Sequence, residues 1–225
     1  MISEETIQHQ GRRFDPYEFN AGTSLAINMN DYLILATDTR HSSEMGINTR
    51  NISKIYFLDD LYLIVTGFYA DGYEVYINLL YQLIEYESKN NKKMGIRSAA
   101  HLLHNLLYRK RFFPYYSYCI LGGFDKKSQK FLLFSFDVVG SYGETVCRVD
   151  GSGTTMIQPL LDSRISKLNW ENNDTKVTDC KEVCELVKIA FKSAAERDVK
   201  TGDYLDLVVV KKDGIERTLH KLRHD

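Results

Sequence analysis

His101 and His104 stand three residues apart, a helical spacing that turns two imidazoles to one face where they could ligate a metal. No cysteines or carboxylates cluster near them in sequence, so surface or groove histidines are the better reading. Cys180 and Cys184, at i,i+4, supply half a zinc site at most and read as ordinary helix-face cysteines. Gly151-Ser152-Gly153 lacks the lysine and the length of a phosphate-binding loop. It suits a tight turn opening a helix, where free amides can face an anion or a developing oxyanion. Arg109-Lys110-Arg111-Phe112-Phe113, with Lys92-Lys93 upstream, is basic and aromatic, which fits an interaction patch better than a nucleic-acid groove. The run from Gly22 to Ile27, then Thr37-Asp38-Thr39-Arg40 and Ser53-Lys54, offers hydroxyls, a carboxylate and an amine. By spacing alone it is a strand pair with a surface charge at each end.

These residues need elements to hold them. Residues 23–29 and 32–37 read as two strands around a tight Asn30-Asp31 turn, and 55–58 and 61–66 repeat the pattern around Asp59-Asp60. Asp71 is placed to cap a helix carrying Val75, Leu79, Leu80 and Leu83; residues 99–108 follow with leucines at 102, 103, 106 and 107. Strands resume at 117–122, 131–136 and 144–149, and a helix follows Gly153. The clearest helix begins at Thr178-Asp179, with Val183, Leu186, Val187, Ala190, Phe191 and Ala194 on one face. Residues 205–210 and 216–219 close the chain as a hairpin around Asp213-Gly214. The order predicts an α+β protein, a four-layer αββα sandwich of two half-sheets, each buried by a helix pair. Residues 1–20 read as an extension, polar and mobile to about Arg13, then extended over a surface around Pro16. Residues 21–225 read as a single domain.

Composition narrows the class. At 225 residues and 44% hydrophobic the chain has enough apolar mass for a sizeable core, and 14 Gly with 3 Pro exclude collagen-like and low-complexity classes. Lys+Arg 29 against Asp+Glu 30 leaves a net charge of -1, so no global basic field recruits nucleic acid or a membrane surface. No apolar run nears the roughly 18 residues of a membrane span; the longest, residues 61–68, is broken by Thr66 and Gly67. The N-terminus lacks the apolar core of a secretory signal, and 4 Cys form no disulfide framework. The expectation is a soluble intracellular protein. Its 15 Tyr and 11 Phe, several in polar stretches such as Tyr115-Tyr116-Ser117-Tyr118, suit surfaces that partners bury.

Eight ordered motifs run from Arg13 to the C-terminal part of the chain: RFDPYEFN, GTSLAI, ATDTR, TGF, KRFFPYY, FSFDVVGSY, QPLLD and SAAERDVKTGD. With them the chain resembles the beta-type subunits of the proteasome core particle, N-terminal nucleophile hydrolases of αββα fold. The pattern is most similar to the non-catalytic sixth beta class of the eukaryotic particle. Val138 departs from it, standing where that class usually carries Pro, and Gly151-Ser152-Gly153 looks more like the catalytic subunits' loop.

The resemblance implies a chemistry and then removes its centre. In active relatives the first residue of the mature chain is Thr, whose hydroxyl attacks the peptide carbonyl while its own α-amine serves as base. That amine has an unperturbed pKa near 8, well below a lysine's. The supporting positions fall here on Asp38, Lys54, Ser152, Asp198 and Thr201, and the nucleophile position falls on Gly22, which has no oxygen. The residue ahead of it is Ala21, where self-processing relatives carry Gly. Thr23, next door, would be an active nucleophile only in a slipped register, and a one-residue slip turns every strand side chain over, including Leu25, Ala26 and Ile27. The buried pair of Asp38 and Lys54, with Asp198, then reads as retained scaffold. No cofactor or metal is expected. The resemblance implies a non-catalytic beta-ring subunit that helps wall the chamber beside other beta and alpha subunits. The regulatory particle acts on it only indirectly. It would serve ubiquitin-dependent proteolysis in cytoplasm and nucleus, with neither nucleic acid nor membrane as partner.

Overall fold

The computed structural model describes residues 16–20, 22–168 and 177–224. The proposed mobile stretch up to Arg13, and Ala21, lie outside the described residues. Among those described, no helix is long and apolar enough to cross a membrane.

Strands β1 (Thr23–Asn28) and β2 (Tyr32–Asp38) form the first hairpin. A small ribbon, β3 (His41–Ser42) with β4 (Ile47–Thr49), follows before the second hairpin, β5 (Ile55–Leu58) and β6 (Leu61–Gly67). Helices α1 (Tyr69–Asn90) and α2 (Ile96–Tyr108) come next, then β7 (Ser117–Asp125), β8 (Lys130–Phe136), β9 (Tyr142–Glu144) and β10 (Cys147–Gly151). Helix α3 (Thr154–Leu161) runs into a π-helical turn, Asp162–Ser166, before α4 (Cys180–Ala195), β11 (Tyr204–Lys211) and β12 (Gly214–Lys221). Turn chemistry behaves as its residues dictate: Asn30 and Asp59 both take left-handed backbone, φ 66° and 56°, where short polar side chains are tolerated.

Two five-stranded antiparallel sheets result, ordered β10-β1-β2-β11-β12 and β5-β6-β7-β8-β9. Three apolar layers hold them. Leu25, Ile27, Ile34 and Ala36 pack on α3 and α4 through Ile157, Val187 and Phe191. Ala26, Leu33 and Leu35 face the other sheet at Ile64, Ile120 and Leu133. Leu63, Leu121 and Phe134 of the second sheet meet Val75, Leu79 and Leu103 of α1 and α2. Each such side chain contributes about 1.5–3 kcal/mol when fully buried. Both sheets are covered on both faces, which is why β2 and β11 read as near-continuous apolar runs. The layering is αββα.

Three details differ from the sequence expectation. Asp71 does not cap α1: the helix starts at Tyr69 after an extended Phe68, and the Asp71 carboxylate instead accepts the Tyr116 amide at 2.8 Å, pinning α1 to the entrance of β7. The single strand expected at 144–149 is two, because the chain changes sheets there. Thr145 N donates to Leu133 of one sheet at 3.0 Å, and Val146 O accepts from Asn28 of the other at 2.7 Å. The ribbon β3–β4 had no periodic signal, being only two and three residues long. Helix α4 starts as expected, with the Asp179 carboxylate accepting the amides of Lys181 and Glu182.

Candidate functional site

Register brings the site together at one end of the first sheet. Leu205 pairs with Asp38 across β11 and β2, and Thr23 pairs with Gly151 across β1 and β10. The 198–203 loop and the Gly151-Ser152-Gly153 turn therefore close on the start of β1 from two sides. All six positions that the sequence singled out, Gly22, Asp38, Lys54, Ser152, Asp198 and Thr201, lie in this one region.

Asp38 and Lys54 form an ion pair, Nζ to Oδ1 2.6 Å, with both side chains almost fully buried. The same oxygen accepts the Thr23 amide at 2.8 Å, and Oδ2 accepts the amides of Arg40 and Gly202 at 3.2 and 3.3 Å. Burial pushes the Asp38 carboxyl above the ordinary range; the Lys54 ammonium and the amides of Thr23 and Gly202 pull against it without reversing the direction. Gly22 faces this pair. Its φ is +110°, and a Cβ built on it would sit 1.9 Å from Lys54 Nζ and 2.3 Å from Asp38 Oδ1. The place of a nucleophile's side chain is thus occupied by the two groups that would support it.

A second set of bonds lies on the other side of the strand. Asp198 Oδ2 accepts from Ser152 Oγ and from Thr201 Oγ1, each at 2.5 Å. With the Thr201 proton committed to Asp198, the 2.6 Å contact between the hydroxyls of Thr23 and Thr201 has Thr23 as donor. Thr23 Oγ1 in turn accepts the Gly153 amide at 2.9 Å. Gly153 must be glycine for this, since a Cβ there would come within 2.5 Å of that oxygen. Ser152 also holds the Gly22 carbonyl, through its amide at 3.1 Å and its hydroxyl at 3.3 Å. Gly151, at φ +100°, lets the two backbones approach so closely.

The slipped-register argument needs one correction. Leu25, Ala26 and Ile27 have no exposed face to exchange, because β1 is buried on both sides. A slip would instead trade the helix-side core for the inter-sheet core, moving Leu25 and Ile27 into the space that Ala26 fills.

Sequence reasoning missed a neighbouring cluster. Buried Arg40 donates from Nε to Asp203 Oδ2 at 2.9 Å, and Arg50 reaches Asp203 Oδ1 at 2.6 Å. Gly202 packs flat on the Arg40 guanidinium, where a Cβ would lie 2.5 Å from Nη2. Arg40 and Asp203 are 163 residues apart, so no local pattern pairs them, although the ATDTR and SAAERDVKTGD motifs contain them both. Elsewhere, His104 binds the Gly140 carbonyl at 2.8 Å and stacks on His101, while burial and neighbouring Cys180 push the Cys184 thiol up to about 12. Among the described residues, no three His, Cys, Asp or Glu side chains gather to hold a metal. Tyr17 of the N-terminal segment stacks on Phe113 at 5.6 Å and donates to Pro114 O, so part of the aromatic patch is already covered from within.

Comparison with known proteins agrees with this architecture. A family model described as a proteasome subunit matches residues 18–210. A probable proteasome subunit beta type-6 of Encephalitozoon cuniculi is 48% identical over 213 residues, which is 95% of this chain and 72% of that protein. Proteasome subunit beta type-1 of Danio rerio is 41% identical over 214 residues, 95% of this chain and 90% of that one. Proteasome subunit beta type-6 of Saccharomyces cerevisiae is 36% identical over 233 residues, 99% and 95% of the respective chains. The αββα layering, the ordered motifs and this coverage give one conclusion: the chain belongs to the proteasome subunit family, among its beta-type members of N-terminal nucleophile hydrolase fold.

Proposed function

We propose that this chain is a non-catalytic structural subunit of the proteasome core particle, forming part of the beta ring and the wall of the proteolytic chamber. Its neighbours in that reading are other beta subunits and the alpha ring, in cytoplasm and nucleus. Gly22 carries the reading. It stands where the resemblance puts the attacking threonine, it has no oxygen, and its missing side chain would overlap Lys54 and Asp38. The bonding of Thr23 supports the same conclusion against an active Thr23. Its hydroxyl is fully buried and bonded to Thr201 and the Gly153 amide, and its nitrogen is a peptide amide that donates to Asp38. A peptide nitrogen has no lone pair available as a base.

The test is peptidase assay of the purified chain, alone and in assembled particles whose other beta subunits are inactivated, with acidic, basic and apolar fluorogenic peptides. No turnover is expected from either. Turnover that disappears in Thr23→Ala, with the unfolding midpoint unchanged, would overturn the non-catalytic reading.

A further inference from the structure

At the end of the sandwich opposite Gly22, the turns β5–β6, β7–β8 and β11–β12 meet the start of α2 around a groove of about 480 Å³. That size lies within the roughly 300–1,000 Å³ of ordinary ligand pockets. Its floor is apolar, with Leu61, Tyr62, Phe131 and Val210 buried and Met94 and Phe124 half-buried. Its rim carries five exposed lysines: Lys93, Lys126, Lys127, Lys211 and Lys212.

The carboxylates lining the groove do not neutralise that rim. Asp125 is engaged by the Lys127 amide, the Ser128 hydroxyl and Arg97. Asp60 lies 3.9 Å from Lys93, which Asp59 also approaches at 3.6 Å. Among the described residues, no carboxylate comes within ion-pair distance of Lys126, Lys127, Lys211 or Lys212, and Lys212 rests 4.9 Å above the Phe124 ring. Four unpaired ammonium groups around one groove, within about a Debye length of 8–10 Å of one another, repel each other until an anion joins them.

We propose that this groove docks a short acidic peptide segment of another protein, its apolar side chains on the floor and its carboxylates toward the lysine rim. The apolar floor selects peptide over phosphate or nucleic acid. A phosphodiester backbone or free phosphate would leave the floor wet, and the exposed face of Phe124, which a base would need for stacking, is covered by Lys212. The inference does not depend on whether the Gly22 end is catalytic.

Fluorescence anisotropy with the full-length chain tests it. The probe is a labelled short peptide alternating Glu with Leu; controls alternate Glu with Ser or Lys with Leu, and oligouridylate and polyphosphate complete the set. Saturable binding of the Glu/Leu peptide alone is expected. Lys211→Glu with Lys212→Glu should weaken it at least about tenfold, and Met94→Ser should weaken it without altering its salt dependence. Absence of binding, equal binding of the Glu/Ser peptide, tighter binding of RNA or polyphosphate, or full affinity in the doubly reversed variant would each overturn the proposal. Unfolding midpoints of the variants identify any loss that comes from misfolding, and the Met94→Ser arm then decides.

Discussion

Two buried carboxylates flank Gly202 and are held in opposite ways. Asp38 has one cation, Lys54, and that cation is as buried as the acid itself, so both charges have left water for one contact. Asp203 has two guanidinium partners, and one of them, Arg50, is about half exposed at 49% and remains solvated. The consequence is a difference in direction. Burial pushes both carboxyls up. For Asp38 burial prevails; for Asp203 the hydrogen bonds and charges of Arg40 and Arg50 outweigh it and hold the carboxyl below the ordinary range. Asp203 also ties down the end of the chain, because its backbone pairs with Arg223 and Leu222 while Arg40 and Arg50 bind the carbonyls of Arg223 and His224. The acid that the family's chemistry would use is the weaker fixture, and the acid outside that chemistry is the stronger one. Retention of Asp38 and Lys54 is therefore poor evidence of activity, and the buried pair is also no strong source of stability.

Breaking the stronger cluster should have the largest effect. Asp203→Asn leaves Arg40 buried without its charge partner and should cost about 3–5 kcal/mol. Urea unfolding of the full chain would show this as a lowered midpoint at unchanged slope.

Filling the space at the other cluster should cost less. Gly22→Ala combines a side chain at φ +110° with a Cβ that meets Lys54 Nζ at 1.9 Å, and roughly 1–3 kcal/mol is expected. Adding Lys54→Met and Asp38→Asn should recover only the steric part, since the backbone strain stays. Full recovery in the triple variant, read from the same urea curves, would show that φ at residue 22 relaxes freely.

The smallest effect is in acid, and here the two carboxyls have opposite signs. Asp203, with its folded value depressed, contributes stability that is present above the ordinary carboxylate value of 3.8 and is lost as pH falls through the depressed value. Asp38, with its folded value raised, contributes stability that is present below 3.8 and is lost as pH rises through the raised value. Acid unfolding followed by circular dichroism from about pH 5 to pH 2 should be shallower than wild type in Asp203→Asn. In Asp38→Asn with Lys54→Met it should be steeper, because the opposing carboxyl is gone. Parallel curves for all three proteins would remove the distinction between the clusters.

Much of the fold was legible because its signals are local. The Asn30-Asp31 and Asp59-Asp60 turns, the apolar face of α4 and its Asp179 cap each lie within a few residues of what they shape. The crossing of β9 into β10 was not legible, since 144–149 has the same strand character whichever sheet it joins. Asp71 misled for a related reason: an acid in a first turn looks like a cap until the edge of β7 supplies a better donor, the Tyr116 amide.

The sequence by itself determined the order of elements, the family through its ordered motifs, and the absence of an oxygen at residue 22. Those properties depend on residue identity and short-range periodicity. Only the tertiary structure decided where the Gly22 Cα points, which hydroxyl Thr23 bonds, and that Arg40 reaches Asp203 across 163 residues. Each of these follows from the pairing of β2 with β11 and of β1 with β10, which sets distant loops against one another. Strand register is a property of two segments and their shared core, and neither segment alone carries it.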